Sequence, residues 1–430
     1  MSRIVIKCLE VNSDGIGVGT YNNLPIFIPN LLLNEEAEVQ IVHKGYKKYF
    51  GKVLKLIKKS EDRVKPECYY FGVCGGCQLQ HMTYQSQLDF KVNYVRKLFE
   101  ESSLDFPFEA IYKEERPYFY RHKVMAPIEK NKRGFYELNT RKFAEIDTCL
   151  IENIEAQKII KTILSYELED LTYIYVRVGK YTKEILLTLV TDQEENIIDD
   201  EKIKRIINEY PNIKSITQSI KRNKLSGKVL GEETKVLYGN GYIKDKLLDI
   251  TFSISTNSFY QVNPTQTEVL YSKAIEYASL KKDDYVLDAY CGVGTIGLIA
   301  SSKVKKVIGV EIVEQAILDA KENASLNKIN NATFLCKDAK EYIKEVDLNF
   351  DVIFVDPPRK GCDKEFIETI MNSNINRIVY VSCDPKSLVR DLSLLKGKYE
   401  IKKVSLVDMF ANTTHIECVV SLNRIESKKK

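Results

Sequence analysis

Apolar and polar positions alternate in two rhythms along the chain, and the change between them divides it. Up to about residue 58 the apolar runs are short. Arg3-Ile-Val-Ile-Lys-Cys-Leu9, Pro25-Ile-Phe-Ile-Pro29, Glu38-Val-Gln-Ile-Val-His43 and the stretch 49–57 read as strands, with a glycine-rich turn at 12–19. About five strands in so short a span predict a small β-barrel of the oligonucleotide-binding type. Residues 84–104 carry apolar positions at helical spacing, and 151–167 reads as a second helix. Segments 172–179 and 184–191 predict a hairpin, and 213–220 and 247–254 predict further strands, so the middle of the chain reads as α+β. From an amphipathic helix at 265–280 onward, strands and helices alternate. Strands are expected at 285–290, 307–312, 333–338, 350–355 and 378–381, and 399–408 with 416–422 closes the sheet as an antiparallel pair. That order predicts a doubly wound sheet. The fold class is therefore multidomain α/β, divided as 1–59, 60–253 and 254–430, with the helix near 84–104 a candidate to pack on the last domain.

Composition narrows the class. A chain of 430 residues is too long for one core, and its apolar and charged fractions are those of an ordinary globular protein. No apolar run nears the roughly 20 residues needed to span a bilayer. The N-terminus has no charged-then-apolar leader pattern, so the cytoplasm is the expected location and no membrane partner is expected. In a reducing compartment, ten cysteines point to metal binding or catalysis rather than disulfides. A net charge of +4 does not by itself imply nucleic acid. Its distribution says more, because residues 1–60 hold nine Lys/Arg against five Asp/Glu. Lys44, Lys47, Lys48, Lys52 and Lys55 interleave with Tyr46, Tyr49 and Phe50, which suits either a face for RNA or a plain solvated lysine face. The three C-terminal lysines, 428–430, are expected to be a disordered tail.

Three constellations carry candidate chemistry. Cys68-x5-Cys74-Gly-Gly-Cys77 places three thiols around glycines whose amides can reach a sulfur, and Cys149 is the candidate fourth ligand. Zinc would accept four thiolates, but the spacing favours an iron–sulfur centre. Next, Phe350-Asp-Val-Ile-Phe-Val355 runs into Asp356-Pro-Pro, and Arg377-Ile-Val-Tyr-Val-Ser382 runs into Cys383-Asp-Pro385. Two strand ends would thus bring a carboxylate and a thiol to one rim, where open α/β sheets bind ligands. A lone cysteine is more often a small core residue; its place between Ser382 and Asp384-Pro385 reverses that reading. Cys291, Cys336, Cys362 and Cys418 read as packing residues. Third, Gly292-x-Gly294-x-x-Gly297 with Glu311 beyond the next strand suits NAD or S-adenosylmethionine. Asp288, Asp338 and Asp356, each at a strand end, favour the methyl donor. Arg121, His122 and Lys123 offer either RNA-phosphate contacts or ordinary surface charge.

Taken together, Cys-x5-Cys-Gly-Gly-Cys, Phe259-Tyr-Gln-Val-Asn263, Asp356-Pro-Pro-Arg359, Ser382-Cys-Asp-Pro385 and His415-Ile-Glu417 resemble the RumA-type RNA uracil-5-methyltransferases, in that family's order from about residue 3 to 424. The N-terminal strands resemble the family's TRAM domain. The resemblance implies a Rossmann-like S-adenosylmethionine-dependent methyltransferase domain at the C-terminus and a [4Fe–4S] cluster on Cys68, Cys74, Cys77 and Cys149. It implies Gln261, Tyr290, Glu311, Asp338 and Asp356 around the donor and uracil. Thr295 stands where some members have Asn. Cys383 is the candidate nucleophile and Glu417 the candidate base. Because related tRNA enzymes generally lack both barrel and cluster, 23S rRNA is the expected substrate, with tRNA the alternative. DNA is not expected, and a monomer is. The rival from another class is a non-catalytic RNA-binding iron–sulfur protein. An exocyclic-amine methyltransferase would have no use for Cys383.

Overall fold

The computed structural model describes residues 3–138, 140–223, 227–345 and 350–425; the lysines at 428–430 lie outside them. The chain forms two compact units. The first is Met1–Tyr94 with Phe135–Ile146 and Phe410–His415; the second is Val95–Gly134, Asp147–Met409 and Ile416–Lys430.

In the first unit, strands Arg3–Lys7, Glu10–Val11, Gly17–Tyr21, Leu24–Ile28, Glu36–Gly45 and Lys48–Lys58 make one sheet, ordered first, fifth, sixth, fourth, third, second. Alternate residues turn inward, so Ile6, Ile26, Ile28, Ala37 and Val39 share one core. Among the described residues no ladder joins the first strand to the second, so the sheet is not a hydrogen-bonded closed barrel. Where the chain leaves this sheet, Arg63 donates to both oxygens of buried Glu35 at 2.5 and 2.6 Å. The helix Tyr84–Glu101 begins here, and Gln87 exchanges hydrogen bonds with Asn412 (3.2 and 3.0 Å), holding the Phe410–His415 segment.

The second unit holds two large sheets and a separate two-stranded one. In the smaller of the large ones, Lys123–Glu129, Tyr173–Val178, Ile185–Thr191, Ile213–Ile220 and Glu233–Gly239 follow one another in that order. Tyr173–Val178 and Ile185–Thr191 are the expected hairpin. Helices Ile154–Leu164 and Asp200–Glu209 supply Ile159, Ile163, Ile203 and Ile206 to its core. The spacing gave no warning of helix Asp200–Glu209 or strand Glu233–Gly239. The single strand expected at 247–254 is instead a hairpin, Tyr242–Leu247 with Ile250–Ser255, reversed at Leu248 with φ 54°.

The larger sheet has eight strands, in the order Ala332–Cys336, Lys306–Glu311, Tyr285–Ala289, Val352–Val355, Arg377–Ser382, Glu417–Arg424, Tyr399–Val407 and Phe108–Tyr112. The first five are parallel; the four inner ones are buried almost without break, whereas edge strand Ala332–Cys336 buries only Phe334. Glu417–Arg424 is antiparallel to both neighbours, as expected of the closing pair, and slots between Arg377–Ser382 and Tyr399–Val407. Phe108–Tyr112, far away in sequence, adds the last strand. No helix is long and apolar enough to cross a membrane among the described residues.

Candidate active site

Strand order reverses between Tyr285–Ala289 and Val352–Val355, which pair with each other and lead outward in opposite directions. A crevice must open beyond their carboxyl ends, and such switch points are where doubly wound sheets bind ligands. Tyr290 and Asp356 lie at these ends, and Glu311 and Asp338 at the ends of the two parallel strands beyond. Tyr290 follows the first strand at φ 64°, a left-handed conformation that costs a non-glycine residue about 1 kcal/mol or more. Its ring meets Phe366 edge-on at 5.3 Å, and its hydroxyl lies by the Cys362 thiol. Gly292 and Gly294 make the turn at φ 52° and 82°, and helix Thr295–Ser301 starts there. Open space lies beside Gly292, where a bound group can approach the backbone. Glu311 accepts from Ile312 and Val313 amides at 2.8 and 3.0 Å, and Asp338 caps the next helix through Lys340 N at 2.9 Å.

Asp288, one strand position inside, is buried. One of its oxygens accepts from Gly297 N at 2.8 Å, and the other has no partner among the described residues. Burial, aided by Asp356 and Glu311 and opposed by the Gly297 amide, pushes its pKa to about 7. Burial alone pushes Asp356, at the end of the neighbouring strand, to about 7 as well. A glycine turn with room beside it and carboxyls at successive strand ends, able to accept from a ribose and an adenine, are what a methyl-donor crevice requires; the residues fit.

The thiol and the proposed base are brought together by sheet register. The antiparallel ladder ends with Ser382 facing Cys418, and Cys383 and Glu417 are the residues next to that last pair on the two strands. Cys383 is half-buried and Glu417 buried. Burial first, then the Glu417 and Asp356 carboxyls, push the Cys383 thiol up to about 11, while Arg359 opposes them. Burial and then Asp356 raise Glu417 well above the ordinary carboxylate range, again against Arg359. The thiol is thus near both carboxyls but is not a ready thiolate in the free protein.

Gln261 arrives on the Phe259-Tyr-Gln-Val-Asn263 segment, whose geometry is set by Asn263. That buried amide caps helix Pro264–Ala278 through Gln266 N (3.2 Å) and donates to Glu114 Oε2 (2.9 Å) and Met409 O (3.2 Å). From the same helix, buried Tyr271 hydrogen-bonds Gln261 and faces Asp356, Glu417 and Asp288. Nothing in the local sequence marks Tyr271; only the fold brings it to the centre. A second group outside the expected set is Asp391. Its carboxylate accepts from Cys362 N (2.7 Å), Tyr380 Oη (2.6 Å) and Arg390 Nε (2.8 Å), and so braces the loop that follows Asp356-Pro-Pro-Arg359. Of the cysteines read as packing residues, Cys291, Cys362 and Cys418 are buried. Cys336 is a correction: it ends the outermost strand and is exposed.

In the first unit, Cys68, Cys74 and Cys77 are half-buried on one loop. The loop is wound by Cys74 N donating to Tyr70 O at 2.9 Å, and Gly76 N lies 3.4 Å from the Cys74 sulfur. Gly75 lies so close to the Leu138 backbone that a Cβ would sit 2.9 Å away. Thiols with an amide directed at sulfur are the donor chemistry of an iron–sulfur centre. Among the described residues, no three His, Cys, Asp or Glu side chains gather closely enough to hold a metal ion. Lys44, Lys47 and Lys48 do lie over the rings of Tyr49, Tyr46 and Phe50, but Tyr49 turns into the core and Tyr46 is the exposed ring.

The sheet and its rim define an α/β methyltransferase carrying a thiol and a carboxyl at neighbouring strand ends. Residues 83–425 match the tRNA (uracil-5-)-methyltransferase family, and the chain belongs to it. It is an RNA methyltransferase. An uncharacterised RNA methyltransferase of Oceanobacillus iheyensis is 43% identical, over 96% of this chain and 95% of its own length. One from Staphylococcus epidermidis is 38% identical, over 98% and 97%. The structure of the Pyrococcus abyssi tRNA (uracil-54, C5)-methyltransferase, solved with S-adenosyl-L-homocysteine, superposes with TM-score 0.79 and 29% identity. It covers 97% of this chain and 99% of that one.

Proposed function

We propose that this enzyme methylates carbon 5 of a uridine in RNA through a transient bond between Cys383 and carbon 6 of the base. The observation that carries the reading is the Cys383 thiol lying just past the last ladder pair, Ser382 with Cys418, where the Glu417 and Asp356 carboxyls both act on it. Carbon 5 of uracil is too weak a nucleophile to accept a methyl group unaided. When Cys383 Sγ bonds to carbon 6, the ring's double-bond electrons pass into an enolate, and carbon 5 gains nucleophilic character. The glycine turn, Tyr290, Glu311, Asp338 and Gln261 would hold S-adenosylmethionine, from whose sulfonium carbon 5 takes the methyl group, the donor leaving as the neutral thioether S-adenosylhomocysteine. Glu417 then takes the proton left on carbon 5, the double bond re-forms, and Cys383 leaves as thiolate. A carboxyl of raised pKa is the stronger base for that step once ionised, and Arg359 favours its ionisation. Tyr271 and Asp356 orient Gln261 and the uracil edge.

The N-terminal sheet is read as a TRAM-type RNA-binding module, and Cys68, Cys74, Cys77 and Cys149 as ligands of a [4Fe–4S] cluster with a structural role. The preferred substrate is 23S rRNA. A tRNA substrate is the second reading, favoured because a tRNA enzyme matches over nearly the whole chain, so this architecture is not peculiar to rRNA. Incubating the enzyme with methyl-labelled donor and either rRNA or tRNA, then mapping 5-methyluridine, tests both. Label in rRNA is the expected result, label in tRNA alone selects the second reading, and label in neither rejects the proposal.

A further inference from the structure

Away from the thiol, one cavity of the second unit sets two cationic side chains, Lys123 and Arg177, against a single carboxylate, Asp245. His122, Lys123, Arg177, Asp245, Tyr260 and Gln261 are among its walls. Arg177 is 3% exposed. Its Nε and Nη2 donate to Tyr175 Oη at 3.0 and 2.6 Å, and Nη2 also donates to Ser258 O at 3.1 Å. Nη1 is buried without a hydrogen-bond partner among the described residues, and so is the hydroxyl of Tyr260, 6% exposed. Lys123 Nζ stands over the Tyr175 and Phe259 rings at 5.8 and 6.0 Å. The Asp245 oxygens accept from the Lys180, Tyr181 and Thr182 amides at 2.7, 2.9 and 3.4 Å, and no ion pair joins them to Lys123 or Arg177 among the described residues. Burial, then Arg177 and Arg121, lower the Lys123 pKa to about 7.

Two cations sharing one wall repel each other, and a buried guanidinium N–H and phenol O–H left unpaired are each costly. Contacts with the Tyr175 face relieve only part of this. A site so built gains by taking in an oxyanion, which accepts from Arg177 Nη1, Tyr260 Oη and the Lys123 ammonium together. The cavity adjoins the segment carrying Gln261, because His122 N donates to Val262 O at 2.8 Å. At its edge Phe259 is 66% exposed, an open ring on which a base can stack. Of the residues assigned to the donor only Gln261 lies in these walls; the glycine turn, Tyr290, Glu311 and Asp338 do not line them.

We propose that Lys123, Arg177 and Tyr260 form a seat for one backbone phosphate of the substrate RNA beside the extruded uridine, an inference that rests on the RNA-uracil reading above. The test uses the full-length protein and a short uridine-containing RNA hairpin. Lys123→Gln should weaken RNA binding about tenfold and lower the salt dependence by about one phosphate contact, with donor affinity by calorimetry unchanged. Tyr260→Phe should be neutral or stabilising to the free protein and still weaken RNA binding, whereas a hydroxyl of structural use would destabilise it. Replacing phosphates near the target uridine one at a time by neutral methylphosphonates should reproduce the loss at one position in the wild type and add nothing there in Lys123→Gln. Unchanged RNA affinity in both variants, or additive losses at every phosphate, overturns the seat. Weakened donor affinity instead assigns the cavity to the donor carboxylate. Wild-type protein that binds the hairpin but forms no adduct with its 5-fluorouridine form rejects the uracil chemistry and leaves the phosphate result readable.

Discussion

A thiol held near pKa 11 is ionised in only about one molecule in a thousand at pH 8. Alkylation of Cys383 in the donor-free enzyme should therefore speed up about tenfold per pH unit from 7 to 10, and a plateau near pH 8 would contradict the environment described. Arg359 lowers that pKa, so Arg359→Gln raises it and should slow alkylation at pH 8 about two- to fivefold, the modest size expected of an exposed charge. Cys383→Ala should abolish methyl transfer while the donor still binds; retained turnover would remove the thiol from the mechanism. Glu417→Gln leaves adduct formation possible but takes away the acceptor for the carbon-5 proton. It should accumulate a covalent protein–RNA band on a denaturing gel, and absence of that band together with normal turnover would assign the base elsewhere.

Elements decide how these side chains meet, and the Asn263 junction is the sharpest case. One amide caps a helix, ties it to Glu114 and to the backbone at Met409, and so fixes the Gln261 segment. Asn263→Ala should cost about 1–2 kcal/mol in denaturant unfolding and weaken donor binding through Gln261. Asn263→Asp keeps the capping oxygen but loses the donors and faces Glu114 with a second carboxylate, so it should be no better than alanine. Recovery to wild-type stability in Asn263→Asp would show that the cap alone matters. The helix at 265–280, the glycine turn and the parallel strands were legible in the sequence because each is written in neighbouring residues, though the Asn263 cap was not. The sequence did not announce that 242–255 folds back at Leu248, since an apolar run does not reveal a reversal made by a non-glycine residue. Nor did it announce Tyr271 or Asp391, whose partners lie on other elements. The closeness of Cys383 to Glu417 was legible only as two separate motifs; antiparallel register makes them neighbours.

For the molecule as a whole, the long-range question is what the cysteine loop contributes, since the proposed chemistry needs no electron. Three thiols on one loop, with an amide on the Cys74 sulfur, suit a cluster that stabilises its surroundings rather than one that reacts. Purified anaerobically, the protein should be brown with about four irons per chain. Cys77→Ser should bleach it and lower its melting temperature, because metal binding and folding are linked when the ligands are ordered by the fold. If the role is structural, folded Cys77→Ser protein at low temperature should still form the 5-fluorouridine adduct at close to the wild-type rate. Loss of the adduct from protein that remains folded and binds RNA would give the centre a part in the reaction. Colourless wild-type protein carrying zinc would replace the cluster with a tetrahedral thiolate site, leaving the Cys383 chemistry intact because none of its bonds passes through the metal.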